Sequence, residues 1–127
     1  MTTKVMTIRQ MCDAYDVTPR TLRFYEAKEL LFPIREGQRR LFTGRDRARL
    51  KLILRGKRFG FSLERIRQVL DLYDTENGSE KQLRGTLVAY QERKADLKRQ
   101  VEDLQQVLVE LEEHMSFVRN ALEENVA

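Results

Sequence analysis

The C-terminal third of the sequence carries a long apolar repeat that limits what the chain can fold into. From Leu83 onward, apolar residues recur in alternating steps of four and three, with Lys94 as the single exception. This a/d pattern lasts for more than five heptads and predicts a coiled coil. The predicted core positions are Leu87, Tyr90, Leu97, Val101, Leu104, Leu108, Leu111, Met115, Val118 and Leu122.

A helix of this length cannot be covered by the rest of the chain. No Gly or Pro follows Gly85, and at about 1.5 Å per residue the helix would be on the order of 65 Å long. Its apolar stripe therefore needs a partner, and a second copy is the simplest one. We expect Lys94 to fix register or orientation at some cost in stability. A monomer folded back on itself is the alternative, but no turn signal interrupts the helix.

Capping and turn residues divide the N-terminal sequence into short elements. Thr7 and Gln10 form a capping box for a first helix. After a break at Asp16, Thr18 and Pro19 provide the N-cap and first position of a second helix. Two short helices joined by so tight a turn predict a helix-turn-helix.

A short basic hairpin is predicted after the second helix. Gly37 lies in a polar segment between Ile34 and Leu41-Phe42, which favours two strands and a turn, in other words a wing. A loop of four to six residues is also compatible with this segment.

Two further helices complete the N-terminal region. A capping box at Thr43 and Asp46 begins the third helix, and Gly60 ends it. Ser62 caps the fourth, whose predicted buried face is formed by Leu63, Ile66, Leu70 and Tyr73. We therefore predict a mainly all-α fold. Its parts are a winged helix-turn-helix DNA-binding domain at 1–74, a linker at 75–79 and a coiled-coil dimerisation helix at 80–127, which the capping box of Ser79 and Gln82 opens.

Charge is distributed unevenly between the two regions. Residues 1–74 carry 17 Lys and Arg against 9 Asp and Glu, a net charge of +8, whereas residues 75–127 carry 7 against 11, a net charge of −4. A basic head on an acidic tail favours a polyanionic partner, and double-stranded DNA is the natural one for a winged helix. An unevenly charged, solvated surface is the alternative reading.

Six residues are predicted to contact DNA. Arg20 and Thr21 lie near the start of the second helix, where side chains reach base edges, and Arg23 and Tyr25 suit phosphate contacts. The wing would add contacts to the flanking DNA. The wing residues are Arg39 and Arg40. Backbone contacts are also conceivable for the third-helix cations Arg45, Arg47, Arg49, Lys51, Arg55, Lys57 and Arg58, several of which are expected simply to be solvated.

Enzymatic, metal and cofactor chemistry find little support in the sequence. The single His, His114, has no Cys, Ser or Asp placed to make a nucleophile–base pair with it. A metal site needs clustered Cys or His, and the chain has one of each. Cys12 lies on the apolar face of the first helix, which favours a core residue over a redox sensor. With no apolar run long enough for a membrane span or a signal peptide, we expect a cytoplasmic protein without cofactor.

The N-terminal motifs resemble those of a known family. The segment from Val17 to Glu26, VTPRTLRFYE, is followed by Leu30-Leu31, Pro33, Arg35, Arg40-Leu41-Phe42 and Asp46, then by Gly60-Phe61-Ser62-Leu63 with Ile66 and Leu70. Together with the long C-terminal helix, this pattern resembles the MerR family of bacterial transcription regulators across essentially the whole chain.

The resemblance implies a mechanism. Members are homodimers whose long helices pair antiparallel, and they bind a pseudo-palindromic operator between promoter elements held at an overlong spacing. They switch transcription by bending and untwisting this DNA, so they act on RNA polymerase through the promoter. The family's DNA-contacting positions match Thr21, Arg23, Tyr25 and Arg40.

Some positions depart from the family pattern. Phe42 replaces the usual Tyr, and Arg39 replaces the aromatic residue that commonly precedes the wing arginine. The cysteines of metal-sensing members are absent at 75–82 and after Leu122. We also expect no separate effector domain of the kind that drug-sensing members append. We therefore expect neither metal nor multidrug sensing. A small-molecule effector remains open, with its pocket expected where the fourth helix, the 75–78 loop and the partner's tail meet.

A second function class is compatible with the same features. A coiled-coil interaction adaptor would use the tail for a different partner and the basic head for non-specific nucleic-acid binding. A folded homodimer with sequence-specific DNA binding would distinguish the regulator from the adaptor.

Overall fold

The computed structural model describes residues 4–74 and 79–126, and the chain divides into two compact units, residues 1–83 and 84–127. The elements in chain order are β1 (Met6–Thr7), α1 (Ile8–Tyr15), α2 (Pro19–Ala27), β2 (Ile34–Glu36), β3 (Arg39–Phe42), α3 (Gly44–Phe59), α4 (Leu63–Asp74) and α5 (Glu80–Val126). Helix dominates, as predicted. Across the described residues, no helix combines the length and the hydropathy that a membrane crossing requires.

The predicted hairpin forms the larger part of a small antiparallel sheet. β2 pairs with β3, with Arg35 opposite Arg40, and Gly37 takes a positive φ of 63° at the turn. A third strand, β1, completes the order β1-β3-β2 by pairing Met6 with Phe42. This two-residue strand was not predicted, because a segment that short carries no period of its own.

The predicted helix caps are confirmed. The Thr7 hydroxyl accepts a hydrogen bond from the backbone N–H of Gln10 at 3.2 Å. In return, the backbone N–H of Thr7 donates to Gln10 Oε1 at 2.8 Å. The same reciprocal arrangement begins α3 at Thr43, and Gly60 ends α3 in the left-handed conformation. Pro19 occupies the start of α2 behind its cap. These caps bound the helices because they satisfy amides that lack a partner within the helix.

One core holds the first unit together. Its buried members are Met11, Leu22, Tyr25, Leu30, Leu31, Phe42, Leu50, Ile53, Ile66 and Leu70. The prediction that Tyr73 joins the buried face of α4 was wrong, since Tyr73 is 65 % exposed. The face of α4 that packs inward is centred on Ile66, Val69 and Leu70, and Tyr73 lies beyond it.

The tail forms the uninterrupted helix that the heptads predict. α5 contains 47 residues, and Ser79 and Gln82 form its capping box with bonds of 3.0 and 3.1 Å. The apolar seam lies open in the single chain. Leu97 is the least exposed of its large aliphatic members at 39 %, and Leu108 the most exposed at 64 %. Residues 75–78 of the predicted linker lie outside the described residues.

Candidate nucleic-acid interface

Local capping positions the basic face of α2. The Thr18 side chain accepts from the Thr21 amide at 3.1 Å, and the two hydroxyls are 2.9 Å apart. Leu22 is buried against the core, so the helix turns Arg20 and Arg23 outward, where both are exposed. Within the described residues neither arginine has a carboxylate partner. Two unpaired guanidinium groups on the first turns of α2 are thus available to phosphate or to base edges.

The wing is tied to α2 by an ion pair. Arg40 Nε on β3 donates to Glu26 Oε1 on α2 at 2.5 Å, and about four-fifths of each side chain is buried. Arg35 on β2 donates to the other Glu26 oxygen at 3.2 Å. Both strands of the hairpin therefore bond to one carboxylate of α2. Arg39, in contrast, is exposed at the rim of the wing.

Tyr25 is buried, whereas the predicted phosphate contact requires an exposed side chain. Its side chain is only 3 % exposed and belongs to the core. Burial raises the pKa of the Tyr25 phenol, so the group is neutral at physiological pH. This burial argues against the predicted phosphate contact. Thr21 is half-buried and stays close to the Thr18 hydroxyl.

Several cations of α3 have structural partners that the sequence did not reveal. Arg49 is 6 % exposed and donates to the Leu30 carbonyl at 2.7 Å. Arg47 donates to the Lys4 carbonyl at 2.6 Å. These two side chains bond α3 to neighbouring segments of the chain. We therefore no longer count them among the candidate DNA contacts. Lys51, Lys57 and Arg58 are exposed.

A carboxylate of α3 orients the segment between α2 and the wing. Asp46 is 2 % exposed and accepts from the Phe32 amide at 2.9 Å as well as from the Thr43 amide at 3.1 Å. A buried carboxylate needs such donors, because an unpaired one would cost several kcal/mol, roughly, in desolvation. The capping role of Asp46 was visible in sequence, but its bond to Phe32 was not.

α4 also holds the end of α2. Arg67 donates to the carbonyls of Lys28 and Glu29, just beyond the last turn of α2. A cation at a helix C-terminus satisfies free carbonyls and complements the helix dipole. Glu29 itself has a positive φ of 59°. Sequence reasoning missed Arg67, because nothing local links it to residues almost forty positions earlier.

The seam of α5 contains all the predicted dimerisation residues. Tyr90 is half-buried, and the other members are exposed. The exposed members are Leu87, Leu97, Val101, Leu104, Leu108, Leu111, Met115 and Val118. Lys94 also lies exposed within this series. A continuous exposed apolar stripe of this length is typical of an interaction surface.

Metal-ligating residues do not cluster in the part of the chain that the structure describes: no three His, Cys, Asp or Glu side chains come together there. Cys12 is half-buried and packs against the core. Burial raises the pKa of its thiol, Asp13 acts in the same direction, and Arg23 opposes both.

Comparison with known proteins gives consistent matches. Residues 6–72 match the family described as MerR HTH family regulatory protein, and residues 47–114 match MerR, DNA binding. The HTH-type transcriptional regulator ZntR of Escherichia coli (strain K12) is 35 % identical over 101 residues, which cover 77 % of this chain and 70 % of ZntR.

Solved structures agree in fold. PbrR691 from Ralstonia metallidurans CH34, solved in complex with lead(II), is 29 % identical with a TM-score of 0.63, and the match covers 84 % of each chain. HiNmlR, a MerR family regulator lacking the sensor domain and bound to promoter DNA, has a TM-score of 0.64 at 23 % identity. That match covers 83 % of this chain and 79 % of HiNmlR. The chain thus belongs to the MerR family of DNA-binding transcriptional regulators.

Proposed function

We propose that the chain acts as a homodimer that binds a pseudo-palindromic operator in promoter DNA and switches transcription by altering the shape of that DNA. RNA polymerase then responds to the promoter rather than to a direct contact.

The exposed face of α2 carries the proposal. Arg20 and Arg23 are exposed while Leu22, between them, is fully buried, so the helix is fixed in rotation with its cations outward. Helix-turn-helix proteins place the start of the second helix in the major groove, where arginines reach guanine edges and phosphates. We assign base contacts to Arg20 and Thr21 and a phosphate contact to Arg23.

The wing would extend this contact to flanking DNA. Arg39 is exposed at its rim, and Arg40 follows on the same strand. Because Arg40 is paired with Glu26, the carboxylate holds its guanidinium in a fixed position beside α2. We assign phosphate contacts to Arg39 and Arg40 and leave Tyr25 to the core. HiNmlR, which shares the fold, is bound to promoter DNA.

The open seam of α5 supports a homodimer. Leu104 is 62 % exposed and Leu111 is 54 % exposed, and burying such side chains stabilises an assembly by roughly 1.5–3 kcal/mol each. A second copy offers a matching seam of the same length. The adaptor alternative is not favoured, because the chain belongs to a family of regulators.

The DNA assignment is tested by Arg23→Gln, with Lys81→Gln as the matched control. Both substitutions remove one positive charge from an exposed side chain, but Lys81 lies at the start of α5. Fluorescence anisotropy on DNA from upstream of the gene should show weaker binding and a flatter salt dependence for Arg23→Gln only. Equal losses of DNA affinity for both variants would show that the effect comes from net charge alone, which would contradict the assignment.

The dimer is tested by Leu104→Lys, with Gln106→Lys as its control. Sedimentation should find a dimer for the parent chain and for Gln106→Lys, whose side chain lies outside the seam. Leu104→Lys should dissociate it, because each chain would bring a lysine into the apolar seam. A monomeric parent chain would overturn the proposed assembly.

A promoter target implies action in the cytoplasm, and the proposal assigns no reaction and no resident cofactor to the chain. The effector pocket expected from the sequence would involve residues 75–78, which lie outside the described residues, so we name none of its contacts.

A further inference from the structure

A cleft of about 400 Å³ opens beside the first turns of α2. It lies within the first unit, between α2, the end of α3 and the start of α4. Small-molecule sites typically have volumes of roughly 300–1,000 Å³. The cleft is therefore large enough for a ligand of modest size, and the family assignment gives it no role.

One side of the cleft is apolar and rich in aromatic rings. Phe24 and Phe61 contribute rings, and Leu63 and Ile66 from α4 add aliphatic surface. Phe24 is 44 % exposed although it is a large apolar side chain. Its ring lies 5.8 Å from that of Tyr25, centroid to centroid. Such a wall stacks well against a flat aromatic ligand.

The other side of the cleft is cationic. Arg20 and Lys57 line it, and no acidic residue does. In the described part of the chain, neither cation forms an ion pair. An Arg guanidinium and a Lys ammonium at the rim of an apolar cleft favour a ligand with one carboxylate.

We propose that this cleft binds an aromatic carboxylate, with the ring against Phe24 and Phe61 and the carboxylate between Arg20 and Lys57. A DNA phosphate would satisfy the two cations but would leave the apolar wall of the cleft exposed to water. The combination of wall and cations therefore favours a small amphipathic anion over the nucleic-acid backbone alone.

Binding in the cleft would oppose DNA binding. Arg20 and Thr21 line the cleft, and both are assigned to the operator contact. A carboxylate on Arg20 would neutralise one of the two exposed arginines of α2. This consequence rests on the proposed function, whereas binding of the ligand does not.

Calorimetry on the full chain without DNA tests the site directly. The probe is 2-naphthoate, compared with 2-naphthamide, which lacks the charge, and with acetate, which lacks the ring. We expect 2-naphthoate to bind at least tenfold more tightly than either. Equal binding of 2-naphthamide, or no binding of 2-naphthoate, would overturn the proposal.

Substitutions locate the binding. Lys57→Gln and Phe24→Ala should each weaken 2-naphthoate binding about tenfold, whereas Arg58→Gln, next to Lys57 and outside the cleft, should not. All three side chains are exposed, so folding should be preserved, and circular dichroism checks this. Equal weakening by Lys57→Gln and Arg58→Gln would contradict the site, as would amide shifts in a ¹H–¹⁵N spectrum confined to α5.

A second experiment measures whether ligand binding in the cleft competes with operator binding. If the two ligands exclude each other at both clefts of the dimer, 2-naphthoate at ten times its own Kd should raise the operator Kd about 120-fold, which is about elevenfold for each cleft. An unchanged operator Kd under these conditions would overturn the competition. If no operator preference exists at all, the proposed function fails while calorimetry still decides the cleft.

Discussion

Arg40 on the wing donates to Glu26 on α2 at 2.5 Å, and both side chains are about four-fifths buried. The two residues are fourteen positions apart in sequence, and their pair joins α2 to β3. It fixes the distance between the wing and α2, and a regulator that reads a defined operator needs that distance to be constant. Glu26 is thereby a positioning residue for the wing rather than a DNA contact.

Glu26→Gln should loosen this geometry and free two cations. Arg40 and Arg35 would keep their charges but lose their carboxylate, so binding to a scrambled duplex should tighten and its salt dependence should steepen. The ratio of operator to scrambled affinity should fall. Anisotropy titrations on both duplexes measure this ratio, and a ratio equal to that of the parent chain would contradict the positioning role.

Arg40→Ala should weaken operator binding and flatten its salt dependence. Each lost phosphate contact lowers the magnitude of the slope of log K against log salt by about 0.9, so loss from both protomers of the dimer lowers it by about 1.8. The same titrations across a salt series give the slope. A weaker affinity with an unchanged slope would show that Arg40 acts only through the fold of the wing.

Two glycines should respond to alanine in opposite directions. A Cβ at Gly56 would lie 2.8 Å from Ile66 Cγ1, where α3 packs on α4, whereas a Cβ at Gly85 would have nothing within 4 Å. Gly56→Ala should lower the free energy of unfolding by about 1 kcal/mol, because overpacking exceeds the gain in helix propensity. Gly85→Ala should raise it by about 0.5–1 kcal/mol.

Urea unfolding at one fixed protein concentration compares the two glycine variants with the parent chain, since the midpoint of a dimer depends on concentration. A stabilising Gly56→Ala would mean that α3 and α4 separate readily at this contact.

Lys94→Leu should strengthen the dimer. Lys94 interrupts an otherwise apolar seam, and burial of a leucine there contributes roughly 1.5–3 kcal/mol. The dissociation constant measured by sedimentation should therefore fall at least about tenfold. Gln106→Leu, outside the seam, should leave it unchanged. A dissociation constant unchanged by Lys94→Leu would place Lys94 outside the interface.

Cys12 should be a slow nucleophile at neutral pH. Burial and Asp13 raise the pKa of its thiol, with Arg23 acting in the opposite direction. A raised pKa leaves a smaller fraction of reactive thiolate at pH 7 than an ordinary thiol has. The rate of iodoacetamide alkylation should rise with pH through a midpoint above that of glutathione. A midpoint below it would favour the redox-sensor alternative.

Features that depend on neighbours in sequence were predictable. Each capping box joins two residues that are three positions apart, so its bonds can be predicted from the local sequence. The two pairs are Thr7 with Gln10 and Ser79 with Gln82. The α5 seam was predictable for a related reason, because one period repeats along the whole helix. These signals were sufficient for the helix order, the wing and the long tail.

Features that depend on distant residues were not predictable in the same way. Glu26 and Arg40 look like any two surface charges until the hairpin folds against α2. Arg49 resembles its solvated neighbours in sequence, yet it is buried on the Leu30 carbonyl. A charge pattern in the sequence gives the sign of the charge on a surface. Only the tertiary fold determines which charged side chains bond within the protein and which stay available to a partner.

Operator preference tests the central claim most directly. Fluorescence anisotropy of the purified chain compares DNA from upstream of its own gene with a scrambled duplex of equal length, across a salt series. We predict tighter binding to the upstream duplex by about a thousandfold or more. Equal and steeply salt-dependent binding to both duplexes would contradict an operator-specific regulator.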